Sequence, residues 1–344
     1  MSDTIRFYDP HTPPFSIHGL ADPMASMFRR VPADVAEATN DGVAGLALHT
    51  SGVRLRFTTD SSFMVIRVRI STYMMPHATP LMEAGFDLYA DIYSNTTPRL
   101  AVRHDYLGYF GFDPASRGEY ESRMELPAGT KELTLNFPLY GSVESLEIGL
   151  DPAATVGAHT PYAHAEPIVF YGSSITQGGC ASRPGTCYQS LLGRRFDCDY
   201  IDLGFSGSAK GEDAIVNYMA SLPMAAFVSD YDHNAPTVEH LRATHHKLYE
   251  AIRKTHPDIP YIMLTKPDFF YGADDMARRD TVMESYLEAR RNGDTNVYFV
   301  DGASYFAAAP SRRDCTMDNC HPNDTGFVRM AATIGDALFY VMPW

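Results

Sequence analysis

The sequence predicts a protein of two domains, an all-β sandwich at residues 1–155 followed by a three-layer α/β domain at residues 156–344. In the first part, apolar and polar residues alternate with a period of two. In the second part, apolar runs alternate with segments of helical period. A chain of 344 residues is long enough for two ordinary domains, and its 45% hydrophobic and 20% charged residues are typical of a globular protein with a sizeable core.

The first domain is predicted from three stretches in which every second residue is apolar, at residues 53–58, 66–70 and 133–137. Such alternation is typical of half-buried antiparallel strands. Turn-forming sequences lie before and between the stretches, among them Asn40-Asp41-Gly42, Thr50-Ser51-Gly52 and Pro127-Ala128-Gly129. We therefore expect residues up to about 150 to be all-β, and a β-sandwich is the simplest architecture for this pattern.

Residues Asp151 to Pro167 are rich in Ala, His and Pro and have no clear period, which indicates a linker. Five strand-like runs follow, and they alternate with helix-like segments. The runs are Ile168–Tyr171, Tyr200–Leu203, Ala226–Val228, Tyr261–Leu264 and Val297–Val300, and the segments lie near Tyr188–Arg195, Glu212–Ser221, Val238–His256, Asp275–Arg291 and Thr325–Tyr340. Strands that alternate with helices form βαβ units, so the pattern predicts a parallel sheet that is covered on both faces.

The composition argues against several classes of partner. A formal net charge of −14 disfavours nucleic acids, phosphate-rich polymers and anionic membrane surfaces. No apolar run approaches the roughly 20 residues of a membrane span, and the amino terminus lacks the basic and apolar regions of a secretory signal. We therefore expect no membrane or nucleic-acid partner and a cytoplasmic location.

The odd number of cysteines, five, favours free thiols in a reducing compartment. Cys180 is close in sequence to Cys187, and Cys315 is close to Cys320. Disulfides between the members of each pair are therefore the alternative. Cys315, Cys320 and His321 could suggest zinc, but no second Cys-x-x-Cys pair lies nearby. We expect neither a metal nor a cofactor.

Polar residues follow the predicted strands of the second domain. Ser174 follows the first strand, Gly207 the second and Asn234 the third, while Asp318 and His321 lie in the segment after the fifth. Right-handed crossovers bring the carboxyl ends of parallel strands to one edge of the sheet. A hydroxyl, a glycine amide, a carboxamide and an Asp/His pair at one edge are the groups that acyl transfer requires.

Each of these residues has a predicted role. The Ser174 hydroxyl is a weak nucleophile that needs a base, and His321 would accept its proton. Asp318, three residues earlier, would hold the other ring nitrogen of His321. The backbone amides of Ser174 and Gly207 and the side-chain amide of Asn234 are the candidate donors to the oxyanion.

These residues resemble the sequence blocks of the SGNH, or GDSL-type, hydrolases. Gly172-Ser173-Ser174-Ile175, Gly207, Asn234 and Asp318-x-x-His321 occur in the family order. Gly85-Phe86-Asp87-Leu88-Tyr89 is similar to the Gly-x-Asp-Leu-Tyr signature of a domain found ahead of some of these hydrolases. The resemblance implies a flavodoxin-like sheet after a jelly-roll-like sandwich, no metal, and ester hydrolysis through an acyl-serine. Members with such a first domain often remove acetyl groups from carbohydrates.

Two departures from the family pattern leave alternatives open. Ser173 stands where the family has aspartate, so either Ser173 or Ser174 could be the nucleophile, and the alignment with Gly-Asp-Ser favours Ser174. The usual Gly-x-Asn-Asp of the third block is replaced by Asp230-Tyr231-Asp232-His233-Asn234. Without Asn234, the oxyanion would have two donors instead of three.

We predict a serine esterase that hydrolyses short acyl esters, with O-acetyl groups on carbohydrates as the favoured substrate. Arg183, Lys266 and Tyr109 are candidate contacts to a small-molecule or oligosaccharide ester. The alternatives are a structural role for Arg183 and a place in a core or interface for the aromatic run that contains Tyr109. One alternative is a lipid or thioester acylhydrolase with the same triad, and another is a carbohydrate-binding protein without catalysis. The oligomeric state is left open, with a homo-oligomer as one alternative.

Overall fold

The computed structural model describes residues 4–72, 75–93, 102–113, 118–267, 272–342 and 344. The strands in chain order are β1 (Arg6–Tyr8), β2 (Ser16–His18), β3 (Arg54–Thr59), β4 (Phe63–Ser71), β5 (Phe86–Tyr93), β6 (Val102–Phe110), β7 (Glu119–Glu125), β8 (Lys131–Asn136), β9 (Ser142–Leu150), β10 (Val156–Gly157), β11 (His164–Gly172), β12 (Cys198–Gly204), β13 (Ala226–Asp230), β14 (Tyr261–Leu264) and β15 (Val297–Val300). The helices are α1 (Ala33–Thr39), α2 (Asp41–Leu46), α3 (Pro80–Ala84), α4 (Tyr188–Phe196), α5 (Asp213–Ser221), α6 (Val238–Thr255), α7 (Ala273–Arg291) and α8 (Asp324–Val341).

The chain folds into two compact units whose sequences interleave. The first unit is Met1–Arg30, Leu48–Ala163 and Ser182–Gly185, and the second is Val31–Ala47, His164–Ala181 and Thr186–Trp344. A single boundary between residues 155 and 156 therefore does not describe this division, because each unit includes a short segment that the sequence placed in the other.

The first unit is a pair of antiparallel sheets, as the sequence predicted. Among the described residues, one sheet has the order β1-β9-β4-β7, and the other has the order β10-β3-β8-β5-β6 with β2 paired to β3. Apolar side chains from both sheets, such as Leu55, Ile66, Leu88, Leu135 and Ile148, are buried in one core. The period-two alternation thus has its expected cause, because alternate side chains of a strand face the core.

Residues 33–46 differ from the all-β expectation, because they form the helices α1 and α2 in the second unit. Asn40-Asp41-Gly42, interpreted as a turn between strands, is the start of α2. The Asn40 side chain accepts a hydrogen bond from the Val43 backbone N–H at 2.9 Å. Asparagine favours turns and helix N-caps for the same reason, since its side-chain oxygen satisfies a nearby backbone N–H.

The second unit contains the predicted parallel sheet, with the strand order β12-β11-β13-β14-β15. This order is that of flavodoxin-like folds. Side chains of β11 alternate between the two faces: the Tyr171 ring packs 5.4 Å from the Tyr231 ring, whereas the Phe170 ring packs 5.6 Å from the Tyr188 ring. The near-continuous apolar run of β11 follows from this burial on both faces.

The predicted linker at Asp151–Pro167 contains strand residues in its middle and at its carboxyl end. Val156 and Gly157 form β10, which pairs with β3, and β11 begins at His164 instead of Ile168. The first four residues of β11 are exposed or half-buried, so they are not part of the apolar run that predicts the strand.

No helix among the described residues is long and apolar enough to cross a membrane. All five cysteines lie in the described part of the chain and are free thiols, and four of them are buried. The Cys180/Cys187 and Cys315/Cys320 disulfides are therefore not formed in this structure.

Candidate active site

Ser174 lies in the tight segment that follows β11, at the carboxyl edge of the parallel sheet. Gly172 ends the strand, and a Cβ atom there would lie 2.1 Å from the Thr176 Oγ1 and 2.4 Å from the Asp230 carbonyl oxygen, so no larger residue fits. The Ser173 N–H donates to the Asp230 carbonyl oxygen at 3.0 Å, which anchors the segment to the neighbouring strand β13. The position of Ser174 is thus set by the backbone on both sides of it.

A chain of two hydrogen bonds joins Ser174, His321 and Asp318. The Ser174 Oγ lies 2.9 Å from the His321 Nε2, and the His321 Nδ1 lies 2.7 Å from the Asp318 Oδ2. With Nδ1 protonated toward the carboxylate, Nε2 is left to accept the proton of the serine hydroxyl. Of the two candidate serines, Ser174 is therefore the one next to the histidine, while the Ser173 Oγ is buried and accepts the Ile175 N–H at 3.1 Å.

The Asp-x-x-His spacing works because residues 317–321 form one closed turn. The Met317 N–H donates to the His321 carbonyl oxygen at 2.9 Å, and Asn319 has a positive φ of 66°. The Asp318 Oδ1 also accepts the backbone N–H of His321 at 2.8 Å. Both side chains therefore project from the same turn, just ahead of α8, where Asn323 is the N-cap.

The environment of Asp318 keeps its carboxyl group ionised. Burial raises the pKa of this carboxyl, but the hydrogen bonds and positive charge of His321 and the backbone N–H of Cys320 outweigh burial and lower the pKa overall. An ionised carboxylate can hold the imidazole in one orientation and stabilise its protonated form.

The loop after β12 presents the Gly207 amide. The Ser206 N–H donates to the Gln177 Oε1 at 2.9 Å, and the buried Phe205 donates its N–H to the Gly172 carbonyl oxygen at 2.8 Å. Gly207 itself is exposed and has a φ of 68°, a conformation that favours glycine. Its N–H donates to no group in the described part of the chain, which leaves it available to a ligand.

Asn234 is the third predicted oxyanion donor, and one of its amide N–H groups is used within the protein. The Asn234 Nδ2 donates to the Phe205 carbonyl oxygen at 3.0 Å. This bond ties the loop after β13 to the loop that carries Gly207. The second N–H of the same amide is the one that could reach an oxyanion.

Sequence reasoning missed two supporting residues of this edge, Gln177 and Thr176. Gln177 is fully buried and orients Ser206, and Thr176 donates its hydroxyl to the Asp230 carboxylate at 3.1 Å. Their only signal in the sequence was their place directly after the two serines.

Cys180 also lies near the His/Asp pair. Its sulfur, an Asp318 oxygen and a His321 nitrogen lie within 4.8 Å of one another, a spacing that metal ligands can have. Burial and the nearby Asp318 carboxylate raise the pKa of the Cys180 thiol to about 12. Because a protonated thiol is a poor metal ligand, the donor set fits a metal poorly, and the absence of a metal stays a prediction.

Arg183, a predicted substrate contact, belongs to the first unit and is bound there. Its Nη1 lies 2.6 Å from both the Asp87 Oδ2 and the Tyr89 hydroxyl, and its guanidinium lies 3.9 Å from the centre of the Tyr106 ring. Asp87 and Tyr89 are the polar residues of the Gly-x-Asp-Leu-Tyr sequence. These contacts give Arg183 a structural role, and contact with substrate stays a prediction.

Tyr109 is 55% exposed on the same face of the first unit as Tyr106, which is 43% exposed. Tyr109 pairs with Asp87 and Tyr106 pairs with Tyr89, and a bulge between these pairs puts the two tyrosines on one face. Lys266, in the second unit, follows β14, and its ammonium group forms an ion pair with Asp275. Substrate contact by Tyr109 or Lys266 stays a prediction.

Two family models match the chain. The model of the GDSL-like lipase/acylhydrolase family matches residues 165–338, which is half of the chain, and the GxDLY model, the N-terminus of SGNH-hydrolase-type esterases, matches residues 5–156. No curated protein gave a match.

Solved structures with the same architecture span nearly the whole chain. A protein described as a GDSL-like lipase from Bacteroides ovatus is 25% identical, with a TM-score of 0.85 and 98% of each chain covered. The salicylyl-acyltransferase SsfX3 of a tetracycline biosynthetic pathway is 21% identical, with a TM-score of 0.80 and the same coverage. An acetyl xylan esterase from Butyrivibrio proteoclasticus is 13% identical, with a TM-score of 0.57 and again 98% of each chain covered. The chain therefore belongs to the GDSL-like lipase/acylhydrolase family of SGNH-type esterases and is a carboxylic ester hydrolase.

Proposed function

We propose that this protein hydrolyses short acyl esters, above all acetyl groups on the hydroxyls of a carbohydrate, through an acyl-serine intermediate. The hydrogen-bonded chain of Ser174, His321 and Asp318 is the observation that carries the proposal. It combines a hydroxyl, a base at 2.9 Å and a carboxylate whose lowered pKa keeps it charged.

In the first half of the reaction, the Ser174 Oγ attacks the carbonyl carbon of the ester, and its proton passes to the His321 Nε2. Asp318 accepts the Nδ1–H and stabilises the imidazolium that forms. The carbonyl oxygen becomes an oxyanion, for which the N–H groups of Ser174, Gly207 and Asn234 are the proposed donors. The tetrahedral intermediate collapses when the bond to the alcohol oxygen breaks and His321 protonates the leaving alcohol.

In the second half, a water molecule replaces the alcohol. His321 removes a proton from this water, which attacks the acyl carbon bound to Ser174. The second tetrahedral intermediate collapses as its bond to the Ser174 Oγ breaks and His321 returns the proton to that oxygen. Acetic acid leaves, and the enzyme returns to its starting state.

The proposed carbohydrate substrate rests on two supports. The acetyl xylan esterase that shares this fold acts, by its name, on an acetylated polysaccharide. In the first unit, the exposed rings of Tyr106 and Tyr109 on one face offer flat apolar surfaces against which a sugar ring can stack.

The five free cysteines support the proposed cytoplasmic location.

A lipid or thioester acylhydrolase would use the same triad and is the alternative. Long acyl chains need a continuous apolar cleft, whereas the segments Ser182–Gly185 and Ser311–Asp314 are polar, which favours short acyl groups. Transfer of the acyl group to an alcohol instead of water would follow the same first half-reaction.

The test is hydrolysis of chromogenic esters with acyl chains of two to eight carbons by the wild type and by Ser174→Ala. We expect acetate to be cleaved fastest and the rate to fall with chain length. Ser174→Ala should lower kcat by about 10⁴-fold or more, because the nucleophile is lost. Acetylated oligosaccharides, with and without an added alcohol acceptor, then identify the natural acceptor class.

Ser173→Ala is the matched control, because it removes the neighbouring hydroxyl that does not contact His321. It should keep far more activity than Ser174→Ala. Equal turnover by wild type and Ser174→Ala would refute the proposed mechanism, and a rate that rises with chain length would favour the lipid alternative.

A further inference from the structure

The helices α1 and α2 precede most of the first unit in sequence but form part of the core of the second unit. Val31, Ala36, Val43 and Ala47 are fully buried there, in the same apolar cluster as Ala209. Ala209 lies two residues after Gly207, the proposed oxyanion donor. The segment 31–47 contacts the loop that carries this donor through Asn40 and Gly42, which both meet Ser208.

Asn40, at the junction of α1 and α2, uses its whole side-chain amide within the second unit. Its oxygen accepts the Val43 N–H at 2.9 Å and so caps α2. Its nitrogen donates to the Ser208 carbonyl oxygen at 3.1 Å and to the Glu212 Oε1 at 2.6 Å. One side chain thus connects α2 to both the residue after Gly207 and the residue before α5.

Gly42 is the second residue of α2 and faces Ser208. A Cβ atom at Gly42 would lie 2.0 Å from the Ser208 Oγ and 2.8 Å from its Cβ, so a methyl group there must displace Ser208. Gly45, three residues further along the same helix, has no atom within 4 Å of such a Cβ. The helix is thus closely fitted to the loop at Gly42 and open at Gly45.

The loop is anchored separately on the two sides of Gly207. Before it, the Phe205 N–H is bound to Gly172 and the Ser206 N–H to Gln177. After it, the Ser208 carbonyl oxygen is bound by Asn40. Gly207 has an open side and a positive φ, and it lies in a turn closed by the Ser208 and Ala209 N–H groups, which donate to the Phe205 carbonyl oxygen at 2.9 and 3.2 Å. The direction of the Gly207 N–H therefore depends on how the anchors on both sides hold this turn.

We propose that Asn40 and the tight contact at Gly42 position the Gly207 amide for the oxyanion, so that a segment from the amino-terminal part of the chain determines catalytic rate. Asn40 is a positioning residue, because it acts through Ser208. The inference rests on the proposed function of Gly207. A misplacement of about 1 Å in such a donor lowers the rate by on the order of 100-fold.

Asn40→Asp and Gly42→Ala test this inference in the full-length protein. Aspartate keeps the oxygen that caps α2 but removes the donor to Ser208 and sets a second carboxylate beside Glu212. We expect both variants to lower kcat for the acetyl ester by about 10- to 100-fold, with KM changed less than threefold. Gly45→Ala is the matched control and should keep the kcat of the wild type.

Two further measurements separate positioning from a general loss of structure. A trifluoromethyl ketone forms an oxyanion adduct with the serine, so its affinity should fall in parallel with kcat, whereas the affinity for a non-hydrolysable amide analogue of the substrate should not. In the double variant Gly42→Ala/Ser208→Gly, the alanine methyl group no longer meets the Oγ and Cβ of Ser208. Its kcat should therefore be at least half that of the single variant Ser208→Gly.

The outcomes distinguish the two levels of the proposal. An active wild type whose Asn40→Asp and Gly42→Ala variants keep kcat and ketone affinity within twofold would overturn the inference and leave the proposed function intact. A wild type that cleaves no ester would overturn the proposed function, and the inference with it. Thermal unfolding followed by circular dichroism checks that all rates refer to folded protein.

Discussion

Ser174 is placed by the small residues directly before it in the chain. Gly172 allows the strand to pass against Thr176 and Asp230, and the buried hydroxyl of Ser173 holds the Ile175 N–H. These contacts lie on either side of Ser174, whose Oγ is 2.9 Å from the His321 Nε2. At the scale of single residues, the proposed chemistry therefore depends on backbone conformation as much as on the triad itself.

Gly207→Ala tests the backbone at the proposed oxyanion donor. The methyl group has open space, but a φ of 68° is unfavourable for alanine by about 1 kcal/mol. We expect a loss of stability of this size and a reduction of kcat by at least 10-fold, because the peptide must rotate to relieve the strain. Urea unfolding and acetyl-ester kinetics measure the two effects.

Gly293→Ala is the control for this prediction, since Gly293 also has a positive φ and open space but follows α7, away from the triad. It should lose similar stability and keep its activity. If Gly207→Ala retained full activity, the alanine would have kept the positive φ and the direction of its N–H, and the predicted rotation of the peptide would be wrong.

At the scale of elements, the carboxyl end of β13 carries two buried carboxyl groups of opposite behaviour. Burial and the neighbouring Asp232 raise the pKa of Asp230 to about 7, and in the described residues its Oδ1 has no hydrogen-bond partner. Burial also raises the pKa of Asp232, but the hydrogen bonds and charge of His233 and the hydrogen bond from the Lys266 backbone N–H outweigh burial. The pKa of Asp232 is therefore lowered overall. The pair therefore keeps one proton, on Asp230, up to about pH 7.

Asp230→Asn should change how stability depends on pH. The ordinary pKa of this carboxyl is 3.8, so between about pH 4 and pH 7 the unfolded chain releases a proton that the folded protein retains. Folding stability contributed by Asp230 is thus present below pH 4 and is lost as the pH rises to about 7, by up to about 4 kcal/mol. The Asp230→Asn side chain does not titrate, so this variant should not show this loss of stability between pH 4 and pH 7.

Thermal unfolding from pH 4 to pH 8 measures this effect. We expect the unfolding temperature of Asp230→Asn to rise relative to that of the wild type as the pH increases. The control is Asp258→Asn, which changes an exposed carboxyl group and should follow the pH profile of the wild type. Parallel pH profiles for wild type and Asp230→Asn would mean that Asp230 ionises normally in the folded protein.

At the scale of the whole molecule, the two units are interleaved in sequence and are not consecutive domains. The second unit takes α1 and α2 from the amino-terminal part, and the first unit takes Ser182–Gly185 from the segment after Ser174. Arg183 in that segment is held by Asp87 and Tyr89 of the Gly-x-Asp-Leu-Tyr sequence. That signature therefore binds a piece of chain that lies only nine residues from Ser174.

A chain of residues 156–344, cut at the boundary that the sequence pattern suggests, should not fold stably. It lacks the buried Val31 and Val43, whose burial contributes about 1.5–3 kcal/mol each, and it exposes the surface that they cover. The loss is comparable with the roughly 5–15 kcal/mol that stabilises a typical domain. We expect no cooperative transition in a thermal melt followed by circular dichroism.

The matched control is the same fragment with residues 31–47 joined to its start through a flexible Gly/Ser linker, which should recover a cooperative transition. If the fragment without residues 31–47 unfolded cooperatively near the temperature of the full-length protein, α1 and α2 would be dispensable for this core.

Much of the fold was predictable because the type of each strand or helix depends on the pattern of apolar residues within that segment. The strand Tyr261–Leu264 has the predicted bounds, since a short strand buried on both faces must be apolar throughout. Val297–Val300 also has the predicted bounds, and its two middle residues are apolar although only half-buried. The predicted helix at 238–256 is α6, because one face of it meets the core. The order of the site residues was equally visible, because parallel crossovers bring strand ends to one edge.

What the sequence by itself determined is the fold class, the order of the elements and the set of polar residues at one edge of the sheet, all of which depend on near neighbours in the chain. Only the tertiary structure decided that Ser174 and not Ser173 faces His321, that residues 33–46 are helical and belong to the second unit, and that Asn40 binds Ser208. The physical reason is distance along the chain. The period of the apolar residues in a segment shows that one side of the segment is buried. It does not show which part of the chain covers that side, and in these cases that part lies more than a hundred residues away.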